Sequence, residues 1–451
     1  MSKPIYLDYN ATTPLSELVK AELARLLQLD LGNPSSRHWA GTPAAEIVEL
    51  SRIRIASLIG CDPTEIIFTS GGTETNNHAI KGVFFANRHR LKQPHFIISS
   101  VEHPAVTEPL RFLETLGARV TRVPVDRYGL VDPTDVQQAI EPETALISIM
   151  LANNEVGTIQ PIEEIAAIAK THGVLIHTDA AQAVGKIPVD VESMGVDMLS
   201  IAGHKLYAPQ GIGALYVREG IELASFMHGA GHEGGRRAGT ENILEIAALG
   251  VACQEAADWL DDGRIENLRD YFWKRLQDEF GERVHLNGHP IKRLPNTLNV
   301  SFDGIAGYDL LTHLPFLAAS TGSACHAGKK HQSPVLTAMG LNSERCLGAV
   351  RFSLGRSSSK EEIDMVVSAL SNRLCLTVLR TLTLTNQSLK SQRLNRNSVC
   401  SQWTLKYRLP RISSSRRQSI KNLLSISNRS WHPLPQCECG LMNSMLHYRK
   451  V

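Results

Sequence analysis

The chain has 451 residues, 43% of them hydrophobic and 20% charged, the proportions of a soluble globular protein long enough for more than one domain. No run approaches the ~20 apolar residues that span a bilayer, Met1-Ser2-Lys3-Pro4 opens no secretory apolar region, and the eight cysteines show neither disulfide nor zinc spacing, so a membrane protein, an exported disulfide scaffold and a metal site are set aside and a reducing, cytoplasmic setting is expected. The net charge of +2 hides an asymmetry: from Arg380 to Lys450 thirteen Lys/Arg face one acid, Glu438, so the tail carries about +12 and the rest about −10.

In chain order, Ala44 to Ile59 has the period of an amphipathic helix, and Glu65 to Thr69 reads as a strand. Gly71-Gly72 follows, with a helix from Thr73. His95 to Ser99 is a strand, and Pro104 opens a helix at a favourable first-turn position. Ala145 to Leu151 (strand), Pro161 to Thr171 (helix) and Val174 to His177 (strand) repeat the pattern, followed by strands at Met198 to Ile201 and Ala214 to Val217. This alternation predicts an α/β fold with a doubly wound, mainly parallel sheet, whose ligands bind at the carboxyl ends of the strands. Beyond a long helix from Arg264 to Phe280 the pattern changes. A strand at Thr297 to Phe302, a small-residue loop from Ser320 to Gly328 and a helix from Glu361 describe a smaller α+β domain. The expected division is an N-terminal segment, 1–15, packing on the small domain; a large domain, 16–263; the small domain, 264–375; and a basic tail, 376–451, expected to lack order. The tail has charge but no regular aromatic interleaving, which argues against nucleic-acid binding.

Several strand ends carry polar residues. Ser200 to Lys205 ends a strand with a lysine in a Gly-containing turn, a setting that suits a desolvated Schiff-base amine, although most lysines are solvated surface groups. Asp179, in His177 to Gln182, either caps a helix or holds a protonated ring nitrogen. The two strand ends together suit pyridoxal phosphate. Ser70 to Asn76 offers glycines and a helix N-terminus to a phosphate, or is an ordinary capping box. His103 follows a strand and either stacks on a ring or is structural. Asn153-Asn154-Glu155-Val156-Gly157 is a turn or an amide cluster for a ligand. Cys325, in Ser323 to Gly328, is a mobile nucleophile or a structural thiol. Arg351, inside an apolar strand, requires an anion: a substrate carboxylate or a structural partner.

Together these segments resemble the class V aminotransferase family, in its cysteine desulfurase and selenocysteine lyase branch. The resemblance rests on Leu7 to Pro14, Gly32 to Ser36, Phe68 to Asn77, the Asn153 and Asp179 clusters, Gly203-His204-Lys205, Arg237 to Asn242, Leu294 to Thr297, the Cys325 loop and Arg351 to Arg356. It implies a type I pyridoxal-phosphate fold acting as a homodimer. It further implies Lys205 as Schiff-base lysine and proton-moving base, Asp179 as partner of the pyridinium, and Gln182 as donor to the ring hydroxyl. His103 would stack on the ring with an acid–base role. Gly72, Thr73 and His204 would bind the phosphate, as would Thr240 lent by the other subunit. Asn154 would contact cofactor and substrate, Arg351 would clamp the substrate carboxylate, and Cys325 would accept the chalcogen. The implied reaction takes L-selenocysteine or L-cysteine to L-alanine and hands selenium or sulfur to an acceptor protein. Ala202 stands where many desulfurases have a phosphate-binding serine, which removes one contact; Cys325-His326 followed by Gln332 to Leu336, Asn153-Asn154 within Leu151 to Glu155, and the run His177 to Gly185 lean toward selenocysteine lyase. The alternatives are a cysteine desulfurase supplying persulfide sulfur, or another reaction of the family such as transamination.

Overall fold

The computed structural model describes residues 4–260, 262–321 and 332–374. Its strands are β1 (Ile5–Tyr6), β2 (Ile66–Thr69), β3 (His95–Ser99), β4 (Arg119–Val123), β5 (Thr144–Ser148), β6 (Leu175–Asp179), β7 (Met198–Ala202), β8 (Gly213–Val217), β9 (Val284–Asn287), β10 (Thr297–Phe302), β11 (Leu317–Ala318) and β12 (Ala349–Ser353). Seven of them form one sheet in the order β2-β8-β7-β6-β5-β3-β4. All run parallel except β8, which is antiparallel to both β2 and β7.

The apolar runs of these strands are continuous because both faces of the sheet are covered. Alternate side chains go to opposite faces. Ile66, Phe68, Ile97, Leu199, Ile201, Ala214 and Tyr216 join one core, and Ile67, Phe96, Ile98, Met198, Leu215 and Val217 the other. The first core is closed by the helices at Gly41–Ile59, Ile162–His172 and Ile243–Ala257. The second is closed by Gly72–Asn87 and Pro104–Glu114.

A separate core gathers Ile5 and Leu7 with residues from Phe272 to Leu374. It sits on the antiparallel sheet β12-β10-β9 and on the parallel pair β1-β11, in which Ile5 lies opposite Leu317. A helix over 360–374 covers it with Ile363, Val366, Val367, Leu370 and Leu374, a stripe of helical spacing. Among the described residues no helix is long and apolar enough to cross a membrane. Cys325 and the tail beyond residue 374 lie outside the described residues.

Candidate active site

The carboxyl ends of β2, β3, β5, β6 and β7 open into one cavity of about 860 Å3. Gly72, Thr73, His103, Asn154, Asp179, Gln182, His204, Lys205 and Arg351 all line it. Thr240 is exposed and does not line it.

Local chain geometry explains how these groups arrive. Gly71 stands at φ +139°, a conformation that a side chain disfavours, and turns the chain from β2 into the helix Gly72–Asn87. A Cβ on Gly213 would come within 2.8 Å of the Gly71 Cα and 2.6 Å of the Ile201 carbonyl, so β8 can pass this turn only as glycine. The first N–H groups of that helix have no intrahelical acceptors, and Gly71, Gly72 and Thr73 line the cavity. The turn is fixed from outside by Glu74, which accepts from Ser70 N at 2.8 Å and pairs with Arg237 at 2.8 Å. The helix therefore starts on Gly71 without a side-chain cap, and Thr73 is free of the capping role.

Asp179 ends β6. Its Oδ2 accepts from Asn76 Nδ2 at 2.7 Å and its Oδ1 from Ala181 N at 3.0 Å. The carboxylate is 7% exposed and pairs with no cation among the described residues. No helix directly follows β6, so Asp179 caps a turn rather than a helix, and its carboxylate also lines the cavity. His103 caps the helix Pro104–Glu114, its Nδ1 accepting from Ala105 N at 3.1 Å. That bond leaves Nε2 as the protonated nitrogen of the neutral ring. Desolvation by the cavity walls, and then Lys205, hold its pKa below the ordinary value against the pull of Asp179.

Lys205 follows β7 in a single 3-10 turn, Gly203–Lys205. Its Nζ donates to the carbonyls of Asn10 at 2.6 Å and Ala11 at 2.7 Å. Burial, and then the charge of Arg351, lower its pKa to about 8, with Asp8 and Asp179 opposing. His204 is held neutral: burial, then Lys205 and Lys186, bring it down to about 4. Its Nδ1 lies 3.2 Å from Thr12 Oγ1.

Arg351 reaches the cavity from β12. Nη1 donates to the Asn154 carbonyl at 2.9 Å and Nη2 to Asp8 Oδ1 at 2.8 Å, while the buried Nε has no partner. The buried guanidinium therefore has a resident carboxylate as well as unspent donors.

Four groups at this site carry no role in the sequence reading. Asn10 binds across the chain to Ser353 Oγ, Thr297 Oγ1 and the Asn154 carbonyl. Asp8 pairs with Arg351. Lys186 stands behind Gln182. Glu102, beside His103, accepts from Ser99 Oγ at 2.6 Å and Met150 N at 3.0 Å, both on Oε1. Burial pushes its pKa up to about 8, and Asp179 adds to the shift, so at neutral pH it is mostly the uncharged acid. Asp8 and Asn10 lie inside the Leu7–Pro14 segment that carries the resemblance, which was the one hint available to sequence.

Residues 5–366 match the family model described as Aminotransferase class-V. The chain belongs to the class V aminotransferase family. It is 46% identical over 374 residues to "Cysteine desulfurase IscS" of Dictyoglomus turgidum, covering 82% of this chain and 94% of that protein. It is 44% identical over 371 residues to "Cysteine desulfurase IscS" of Methanosarcina thermophila, covering 81% and 91%. Among solved structures, a "NIFS-LIKE PROTEIN" aligns with a TM-score of 0.77 at 34% identity, over 83% of this chain and all of that one. The NifS-like protein of Rickettsia africae aligns with a TM-score of 0.74 at 30% identity, over 82% and 99%. The fold is thus the type I pyridoxal-phosphate fold, and the family's cofactor is pyridoxal 5′-phosphate. The two curated relatives are named cysteine desulfurases, and they support the desulfurase alternative rather than the lean toward selenocysteine lyase.

The cavity fits that cofactor. A helix N-terminus that opens on Gly71 and Gly72, and the neutral His204, suit a phosphate. Gly72 packs so closely that an added Cβ would lie 3.1 Å from the Ala202 Cβ, so this wall leaves backbone rather than side chain facing the anion. The unpaired Asp179 carboxylate suits a protonated ring nitrogen, and Lys205 places a depressed-pKa amine in the same space.

Proposed function

We propose that this class V aminotransferase is a cysteine desulfurase: it takes L-cysteine to L-alanine and transfers the sulfur to the thiol of Cys325. The observation that carries the reading is the meeting in one cavity of Lys205, Asp179 and the carboxylate-binding Arg351. The names of the relatives, and a cysteine 26 positions before Arg351, add the sulfur chemistry.

When bound, the cofactor supplies an electron sink that stabilises negative charge at the substrate Cα. The chain's residues do the rest. Gly72, Thr73 and His204 hold the phosphate, and Asp179 keeps the ring nitrogen protonated. Gln182 donates to the ring hydroxyl, and His103 stacks on the ring with its Nε2 free to exchange a proton. Arg351 and Asn154 orient the substrate carboxylate, which replaces or shares Asp8 as the anion on the guanidinium. Lys205 Nζ, once released, takes the proton from Cα and returns one to the product. The Cys325 thiolate attacks the substrate sulfur; the Cβ–S bond breaks, the new S–S bond makes a persulfide, and the electron pair left on carbon ends as a C–H bond of alanine. An acceptor protein then takes the persulfide sulfur. Thr240, exposed here, is assigned to the phosphate of a second subunit, which makes the working unit a homodimer. The division at residues 263/264 belongs to the same proposal, and so does a reducing, cytoplasmic setting, in which Cys61, Cys253 and Cys346 stay free thiols.

The test is product analysis with L-cysteine and L-selenocysteine on one preparation. Alanine from cysteine, with no keto acid, supports the reading. A keto acid in its place, or alanine from selenocysteine alone, overturns it. The selenium arm is kept because the Gln332 to Leu336 run, Asn153-Asn154 and His177 to Gly185 resemble selenocysteine lyase.

A further inference from the structure

A lysine amine drawn in among amides, with no carboxylate beside it, has to be compensated by hydrogen bonds. Lys186 is such a residue. It is partly buried, and its Nζ donates to Gln182 Oε1 at 2.7 Å and to Asn10 Oδ1 at 3.2 Å. It pairs with no acid among the described residues. Burial, with the charges of Lys205 and Arg351 adding, holds its pKa well below the usual lysine range. Lys186 does not line the cofactor cavity. It lines a smaller one of about 230 Å3 behind it, with Tyr9, Tyr207 and Arg293.

The consequence lies in the amides. A side-chain amide has one accepting and one donating end, and its neighbours decide which way round it sits. Lys186 offers N–H groups, so Gln182 turns Oε1 to it and Nε2 away. One Nε2 hydrogen goes to the Asn10 carbonyl at 2.9 Å, leaving the other for the cavity that Gln182 lines. Asn10 is fixed in the same way. Its Oδ1 takes Lys186 and, at 3.0 Å, Asn296 Nδ2, while its own carbonyl also receives Lys205 Nζ. The amine thus helps to orient two amides, acting with the Asn10 carbonyl on Gln182 and with Asn296 Nδ2 and the Asn154 carbonyl on Asn10, whose backbone carbonyl also holds Lys205 at rest.

We propose that Lys186 is a positioning residue: by donating to Gln182 Oε1 and Asn10 Oδ1 from behind the cavity, it makes Gln182 present an N–H to the cofactor's ring hydroxyl. The inference rests on the role given to Gln182 above.

The experiment uses holoenzyme in four forms: wild type, Lys186→Met, Gln182→Ala and the double variant. Two quantities are read, the ratio of the two long-wavelength absorption bands of the bound cofactor, which follows the hydrogen bonding of its ring hydroxyl, and the dissociation constant for pyridoxal phosphate. Lys186→Met keeps the length of the side chain and removes its donors. It is expected to move the band ratio in the same direction as Gln182→Ala and to weaken cofactor binding about 3- to 10-fold, the size of one neutral hydrogen bond. In the Gln182→Ala background its effect should fall by more than half, because residues acting through one another are not additive. Lys186→Gln keeps a donor and should return part of the wild-type band ratio; it carries the test should the methionine variant not fold. A shift with Gln182→Ala but none with either Lys186 variant overturns the role of Lys186. Equal effects of Lys186→Met in both backgrounds also overturn it. No shift with Gln182→Ala removes the role of Gln182, and the proposal with it.

Discussion

In the proposed function Lys205 acts through its protonation. Only the neutral amine can bond to the cofactor's aldehyde, and burial brings its pKa from the usual lysine range down to about 8, so the neutral form grows as pH rises toward 8 and saturates above it. Uptake of pyridoxal phosphate by the apoprotein should therefore quicken about tenfold per pH unit below pH 8 and level off above it. Stopped-flow absorbance measures this; a rise continuing past pH 10 would describe an ordinary lysine. Arg351 makes a separate prediction. Its donors bind a carboxylate and touch no part of the phosphate cradle, so Arg351→Gln should raise KM for L-cysteine by about 10- to 100-fold, the size of a charge-assisted hydrogen bond. Cofactor absorbance should stay unchanged; loss of bound cofactor would make Arg351 a structural counter-ion of Asp8. Much of this site was legible because Asp179, His103, Lys205 and the Gly71-Gly72 turn all fall at strand ends, and strand ends can be read locally. Asn10, Asp8 and Lys186 were not. Asn10 acquires its meaning from Gln182, Thr297 and Ser353, residues 172 to 343 positions away, a proximity that only the fold creates.

At the scale of elements, periodicity identified the large sheet because both of its faces are apolar. It did not reveal the direction of β8. Hydrophobic pattern does not distinguish a hairpin-like connection from a crossover; the ten residues between β7 and β8 are fewer than a parallel crossover needs, and Gly213 lets β8 pass Gly71 at a distance no side chain allows. β1 has only two residues, and its partner lies 312 positions on, so no local pattern marks it. The segment carrying Thr240 is anchored in a way that can be tested. Glu233, at φ +49°, receives Arg52 on both carboxylate oxygens, at 2.9 and 3.1 Å, and Phe68 N at 2.9 Å. Both side chains are at most 10% exposed. Glu233→Ala leaves the buried Arg52 with only the longer contact to the exposed Glu49, at 3.4 Å, and the Ile66 carbonyl as polar partners, which should lower stability by about 3 kcal/mol. Denaturant unfolding measures it, and a change under about 0.5 kcal/mol would place this pair with ordinary surface ion pairs.

At the scale of the whole molecule, the core residues among those described run to Leu374, while the net positive charge lies from Arg380 on. A chain ending at residue 379 should therefore bind pyridoxal phosphate and unfold at the full-length midpoint; failure to fold would give the tail a structural part. The assignment of Thr240 to a second subunit predicts a dimeric holoenzyme in sedimentation, and a fully active monomer would contradict it. The central claim is that Lys205, Asp179 and Arg351 prepare L-cysteine for attack by Cys325. Mass spectrometry of the protein after a single turnover, with acceptors absent, tests this most directly. The account predicts one added sulfur on the peptide holding Cys325, removable by thiol reductant and equal in amount to the alanine formed, and neither product at more than about a hundredth of that rate in Cys325→Ala. Alanine formed at the wild-type rate by Cys325→Ala, or sulfur carried on another cysteine, would contradict it.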